Sequence, residues 1–145
     1  MLLSQKLVEL IENDADKLTK MWLEDVQKRP ETPTYHTFDP NELYHRAHRV
    51  YSQLGKWISH ETNKEEIAAY YTAMGAQRRK EGFALSEVIQ ALIITRRYVW
   101  LKVLSEGLLD TALDMYKALD LINRVILFFD RAIYYTAKGY EKQGH

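Results

Sequence analysis

Apolar residues recur every three or four positions along most of the chain, which is the spacing of one face of an α-helix. In the first segment this stripe passes through Leu7, Leu18 and Val26, with Glu and Lys on the opposite face. No segment alternates apolar and polar residues between turn signals, as the strands of a β-hairpin do. The pattern predicts an all-α fold of about five long helices, over residues 2–28, 39–60, 63–82, 85–104 and 110–138.

The fourth predicted helix, residues 85–104, is apolar nearly all round, which is typical of a helix enclosed by others. We therefore expect it to be the central helix of the bundle. Arg96 interrupts it in register with Ile89, Ile93 and Trp100. Because a buried guanidinium requires a carboxylate or carbonyl partner, we predict a buried ion pair between Arg96 and Asp130 of the last helix, with Glu87 as the other candidate partner. We favour this structural pair over an Arg96 that anchors a ligand.

The last predicted helix carries two apolar stripes, more than one core requires. A second apolar face is typical of a helix that also contacts a partner. We predict a homodimer through one of the two stripes, and we nominate the first of them. The first stripe contains Leu121, Val125, Phe128, Ala132 and Tyr135; the second contains Ala112, Tyr116, Leu119, Ile122, Ile126, Phe129 and Ile133.

Proline and glycine mark the boundaries between these segments. Three prolines cluster in residues 29–40, which predicts an extended loop over residues 29–38. Asp39 can accept the first backbone donors of the second helix, and Pro40 suits its first position. Gly82 can adopt the left-handed conformation that ends the third helix.

Composition narrows the class of protein. The chain has 145 residues, the size of one domain, and its 20 basic and 20 acidic residues balance. This balance argues against a nucleic-acid binder or a polybasic membrane module. Without cysteine, disulfides and thiolate sites are excluded. No apolar run reaches the ~18 residues of a membrane span, so we expect a single cytoplasmic domain over residues 1–145, not inserted in a membrane.

Histidine offers the main candidates for chemistry. His45 and His48 share a face of the second helix, with Glu42 nearby, and such a pair can bind zinc or copper. An exposed face with two titratable rings is the alternative interpretation, and it is favoured. A haem-binding or small-molecule-binding globin-like sensor is a further alternative, although the fourth and fifth helices lack the histidine that a haem iron commonly needs.

Nucleophilic and phosphate-binding motifs are not found in the sequence, which favours a protein that is not an enzyme. We predict no catalytic residue, no metal and no cofactor. The expected partner is a second copy of the chain.

One stretch of the sequence is familiar. Residues 79–92, with Glu81-Gly82 followed by Leu85-Ser86-Glu87-Val88-Ile89, resemble the central signature of the RsbRD N-terminal domain family. Residues 96–100 are similar to the continuation of that signature, and residues 128–135 resemble its closing segment. The family comprises the N-terminal domains of RsbR-type co-antagonists of the switch kinase RsbT.

The resemblance implies a fold and a function. It implies a globin-like helical domain that binds no haem, dimerises through its long helices and acts as the sensory or regulatory head of a bacterial signalling protein. Such heads precede output modules in stressosome proteins, and similar ones precede histidine kinases, so the resemblance implies a downstream signalling domain or protein as a further partner. It carries no catalytic residue to this chain, which would be a lone sensor or the N-terminal part of a longer protein.

The signature also has a physical interpretation as a corner between two helices. Gly82 ends one helix, Leu85 anchors the turn, Ser86 can cap the next helix, and Glu87 lies in its first turn, where a negative charge is favoured. We therefore expect Glu81, Gly82, Leu85, Ser86 and Glu87 to be structural.

Overall fold

The computed structural model of the chain describes residues 5–59, 64–106 and 111–142. These residues form helices and contain no strand, which confirms the all-α prediction. In chain order the elements are α1 (Gln5–Asn13), α2 (Ala15–Lys28), a 3-10 helix (Pro33–His36), α3 (Pro40–Ser52), α4 (Leu54–Ile58), α5 (Lys64–Lys80), α6 (Leu85–Ser105) and α7 (Ala112–Lys142).

Two of the five predicted helices are each divided into two, which gives seven α-helices in the described part of the chain. The first breaks at Asp14 and the second at Gln53, where neither glycine nor proline marks the position. Asp14 contacts Lys102 of α6, with 2.7 Å between the carboxylate and Nζ. At the second break, the Glu12 carboxylate of α1 accepts the backbone N–H of Gly55 at 2.8 Å. Contacts with other helices accompany both breaks, and the local sequence pattern does not encode such contacts. The globin-like arrangement of the helices stays a prediction.

The proline-rich segment is more ordered than an extended loop. Its middle forms the 3-10 helix, and the hydroxyl of the buried Thr32 donates to the carbonyl of Val26 at 2.8 Å. At its end, the Asp39 carboxylate accepts the N–H of Asn41 at 3.0 Å, and Pro40 begins α3. This cap was predicted from the sequence, and the structure confirms it.

Helix α6 is enclosed only along part of its length. Toward its start it is joined to other helices, because the indole of Trp22 donates to the Ala91 carbonyl at 3.1 Å and the hydroxyl of Tyr51 donates to the Thr95 carbonyl at 3.0 Å. Toward its end, however, Trp100, Leu101 and Leu104 are exposed. The prediction that α6 is covered on most sides is therefore wrong for its last turns, where the apolar residues face outward.

Helices α5 and α7 approach each other until their backbones touch. A Cβ atom on Gly75 would lie 2.0 Å from the carbonyl oxygen of Thr136, and one on Gly139 would lie 1.9 Å from that of Thr72. The two contacts are reciprocal, so the helices run antiparallel. Gly139 therefore lies inside a helix as a packing residue and does not interrupt it.

Candidate functional site

The end of α5, on one side of the corner between α5 and α6, is built as the sequence predicts. Gly82 has a φ of +92°, the left-handed conformation that follows a helix end. Its N–H donates to the Arg79 carbonyl and that of Phe83 donates to the Arg78 carbonyl, both at 3.1 Å. This is the Schellman pattern, in which a glycine reverses the chain while the last carbonyls of the helix keep their donors.

Glu81 does more than end a helix, because it also joins α5 to α3. Its carboxylate accepts two hydrogen bonds from Arg46, at 2.9 and 2.6 Å. Arg78 contacts the same carboxylate at 3.3 Å, and Gln77 donates to it at 3.2 Å. Bidentate pairs of this kind are the strong class of protein ion pair, so Glu81 fastens α3 to the corner.

Lowering the pH should reduce the free energy of unfolding, because Glu81 becomes protonated. Burial alone would raise the pKa of this carboxyl, but the hydrogen bonds from Arg46 and Gln77 and the charge of Arg78 hold the pKa below its ordinary value. A lowered folded-state pKa contributes stability above the unfolded-state pKa of about 4.3, and this stability is lost as pH falls through the folded-state value. Urea unfolding should show that Glu81→Gln reduces the free energy of unfolding at neutral pH and that the difference from the wild type shrinks below about pH 4.

The matched control for this experiment is Glu9→Gln, at an exposed position of α1. It should leave the free energy of unfolding close to that of the wild type throughout. If the free energies of unfolding of Glu81→Gln and the wild type differ by the same amount at every pH, the lowered pKa assigned to Glu81 is contradicted.

Glu87 is a buried carboxylate that ties the corner to the 3-10 helix. It accepts the backbone N–H of Thr34 at 2.6 Å, the hydroxyl of Thr34 at 2.7 Å and the backbone N–H of Ala84 at 3.0 Å. The residue that precedes α6 is Ala84, and Ser86 is exposed. The expectation that Ser86 caps this helix is therefore wrong, because Glu87 satisfies the donor of Ala84 instead. Leu85 is half-buried, whereas Phe83 is in the core.

Arg96 and Asp130 lie together, but they do not form a buried pair. Their closest atoms are 3.8 Å apart, and their side chains are 33% and 62% exposed. The prediction that this pair is buried is wrong, because the face of α6 that carries Arg96 and Trp100 is partly open to solvent. An exposed pair at this separation contributes at most about 1 kcal/mol.

The apolar residues nominated as a dimer surface lie mostly inside the chain. Leu121, Val125, Phe128 and Ala132 are buried in the core, and Tyr135 is half-buried. Side chains that are already covered by their own chain cannot contact a second copy. The large exposed residues of α7 lie elsewhere, and they are Leu113, Met115, Tyr116, Leu119, Ile126, Leu127 and Tyr134.

Three of these exposed residues, Tyr116, Leu119 and Ile126, belong to the second stripe identified in the sequence. The contact between Arg96 and Asp130 sets the register between α6 and α7. The hydroxyl of Tyr140, near the end of α7, donates to the carbonyl of Phe83, just before α6, so the two helices run antiparallel. Trp100 lies one turn after Arg96 and Ile126 one turn before Asp130, which places both residues on the same side of the Arg96–Asp130 contact. We call Trp100, Leu104, Leu119 and Ile126 the α6–α7 surface.

A small cavity of about 60 Å³ lies between α2, α3, α5 and α6. Its walls are mainly apolar, but Arg46, Arg78 and Tyr71 also line it. Although Arg78 lies in the last turn of α5, its side chain is only 12% exposed. The signal in the sequence is weak: Tyr71, Met74 and Arg78 follow each other at the spacing of one helix face.

The metal and haem alternatives gain no support from the geometry. His45 and His48 flank the ring of Tyr44, at centroid distances of 5.7 and 5.5 Å. Residues 5–59, 64–106 and 111–142 contain no group of three side chains that could hold a metal ion. The residues that line the cavity include no histidine, and its volume is far below that of a porphyrin. A search of the described helices for a membrane-spanning segment finds none that combines the necessary length with the necessary hydropathy.

Comparison with known families gives a match over almost the whole chain. Residues 16–144 match the family model of the RsbT co-antagonist protein rsbRD N-terminal domain. No curated protein and no solved structure shows a significant match. The family is one of regulatory, non-catalytic domains of the stressosome type. The family resemblance of residues 81–87 is thus part of a match that covers almost the whole chain. The chain therefore belongs to the RsbT co-antagonist protein rsbRD N-terminal domain family.

Proposed function

We propose that this domain is the sensory head of a bacterial signalling protein and that it works as a homodimer in the cytoplasm. The output is an RsbR-like stressosome module or a histidine kinase. The observation that carries the proposal is the α6–α7 surface, where Leu119 is 62% and Ile126 is 42% exposed. Contiguous apolar residues on a folded chain are typical of a surface that a partner covers.

A second copy is the partner that this surface fits best. A surface formed by two long helices can pair with itself about a two-fold axis, because each helix then contacts its counterpart. Arg96 and Asp130, which adjoin the surface one turn beyond Trp100 and Ile126, have opposite signs and contact each other within one chain. This pair therefore adds no net charge to a symmetric contact.

Signalling then follows from a shift between two packings of the dimer. A ligand or partner that binds one packing more tightly increases its population, and it can shift the equilibrium only by that difference in affinity. Helix α7 spans 31 residues, so a change in its packing at one end can reach the other. Catalysis has no part in this mechanism.

Light scattering coupled to size exclusion tests the dimer. The wild-type chain at tens of micromolar should have twice its mass of 17.1 kDa, and Leu119→Glu combined with Ile126→Glu should be monomeric because four carboxylates would be buried in the interface. Met21→Glu, a charge at an exposed apolar residue of α2, is the matched control and should remain a dimer. A monomeric wild type, or a double variant that still dimerises, would overturn the proposal.

A further inference from the structure

A polar group that lines the cavity between α2, α3, α5 and α6 has no hydrogen-bond partner among the described residues. It is the hydroxyl of Tyr71, which is buried. A buried hydroxyl is normally hydrogen-bonded, because its bonds to water are lost on folding. Tyr71 therefore offers a donor to whatever occupies the cavity, and burial raises the pKa of this phenol so that it keeps its proton.

A largely buried cation lines the same cavity. Arg78 contacts the carboxylate of Glu81 at 3.3 Å. Arg46 makes the two shorter bonds to that carboxylate and also pairs with Glu42 at 3.1 Å, so Arg78 has the longest of the guanidinium contacts to Glu81. Burial and the charge of Arg46 lower the pKa of Arg78, yet an arginine side chain keeps its charge in proteins. A guanidinium has five N–H donors, so an anion in the cavity would give Arg78 a closer acceptor than its long contact with Glu81.

The two groups can act on one ligand. Tyr71 and Arg78 are seven residues apart on α5 and share a face, with Met74 between them. Helical side chains lean toward the start of the helix, so Arg78 extends back toward Tyr71. The charge of Arg78 also acts on the Tyr71 phenol, which is consistent with this proximity. A carboxylate has two oxygens and can accept from both side chains at once.

The size and the remaining walls of the cavity limit the ligand further. A volume of about 60 Å³ is several times the ~10–15 Å³ that one water molecule requires, but it is too small for a long chain or a ring system. Leu43, Ala47 and Leu92 add apolar surface to the walls. Such a cavity fits an anionic head on a short alkyl group.

We propose that this cavity binds a short-chain monocarboxylate of two to four carbons, with its carboxylate between Arg78 and Tyr71 and its alkyl group against the apolar wall. Tyr71 also packs on Phe128 of α7, at a centroid distance of 5.7 Å. An occupied cavity is thereby linked to the helix that bears the α6–α7 surface. This last link rests on the proposed sensory function, whereas the binding itself does not.

Isothermal titration calorimetry of the full chain with sodium propionate tests the binding. We expect saturable binding of one molecule per chain, with a dissociation constant in the millimolar range or below. Propionamide, which has the same shape without the charge, should bind at least about tenfold more weakly. Formate should bind more weakly than propionate because it has no alkyl group to bury.

Two variants assign the contacts. Tyr71→Phe should leave the melting temperature unchanged or higher, since the hydroxyl has no partner to lose, and should weaken propionate binding about tenfold. Arg78→Gln should abolish binding. The matched control is Arg97→Gln, which removes the same charge from an exposed position of α6 and should bind like the wild type. If Arg78→Gln fails to fold by circular dichroism, the comparison of propionate with propionamide on the wild type still decides the role of charge.

Several results would overturn this proposal. One is the absence of saturable binding by acetate, propionate or butyrate at about 10 mM; equal affinity for propionate and propionamide, or for propionate and chloride, is another. Unchanged affinity in Tyr71→Phe would remove Tyr71 from the site. Light scattering on the same samples separates the two proposals, because a dimer that binds no carboxylate would leave the proposed function intact.

Discussion

Replacing Gly139 with alanine should lower the free energy of unfolding by roughly 3 kcal/mol or more, at the upper end of the cost of overpacking. The new Cβ would lie 1.9 Å from the carbonyl oxygen of Thr72. No rotamer change relieves this clash, because both atoms belong to helix backbones, so α5 and α7 must separate along their contact. Thermal unfolding should show a melting temperature lower by about 10 °C. The loss exceeds the gain of up to ~1 kcal/mol that alanine normally brings to a helix.

Gly82→Ala is the matched control for this prediction. A Cβ atom at Gly82 would have no neighbour within 4 Å, so its cost arises only from the positive φ and should be about 1–2 kcal/mol. The double variant Gly75→Ala and Gly139→Ala should lose less than the sum of the single losses, since one separation of the helices accommodates both methyl groups. A Gly139→Ala protein as stable as the wild type would contradict the close packing of α5 and α7.

Replacing Glu87 with alanine should cost roughly 3–4 kcal/mol, because hydrogen bonds to a buried charge are strong and their donors would be left unpaired. Its carboxylate accepts both polar groups of Thr34 and the N–H of Ala84. The loss would release the 3-10 helix from the start of α6. Urea unfolding measures the change in free energy. Hydrogen exchange at the Thr34 amide should also become faster, because this N–H would lose its acceptor.

Ser86→Ala is the discriminating control for Glu87→Ala. The sequence alone favours Ser86 as the helix cap, whereas the structure leaves Ser86 exposed and gives the role to Glu87. Ser86→Ala should therefore change the free energy of unfolding by no more than about 0.5 kcal/mol. A large loss in Ser86→Ala together with a small one in Glu87→Ala would show that the corner is capped as the sequence suggests.

Local features of the chain could be predicted because they depend on neighbouring residues. The helical periodicity located α5, α6 and α7 closely, since an amphipathic stripe reflects which side of a helix is buried. Asp39, Pro40 and Gly82 acted as predicted because caps and left-handed turns require particular residue types. The motif at residues 79–92 identified the family, and the match over residues 16–144 confirms it.

Contacts between distant residues decided the rest. Both stripes of α7 are apolar, and only the packing of α5 and α6 shows that Val125 is buried while Leu119 is exposed. The sequence likewise does not show that Gly75 and Gly139 touch the opposite backbone or that Glu81 reaches Arg46 on another helix. The cavity beside Tyr71 exists only where four helices leave a gap between them. Residue type sets what a side chain can do, but the tertiary structure decides which partner it meets, because burial and distance are properties of the assembled helices.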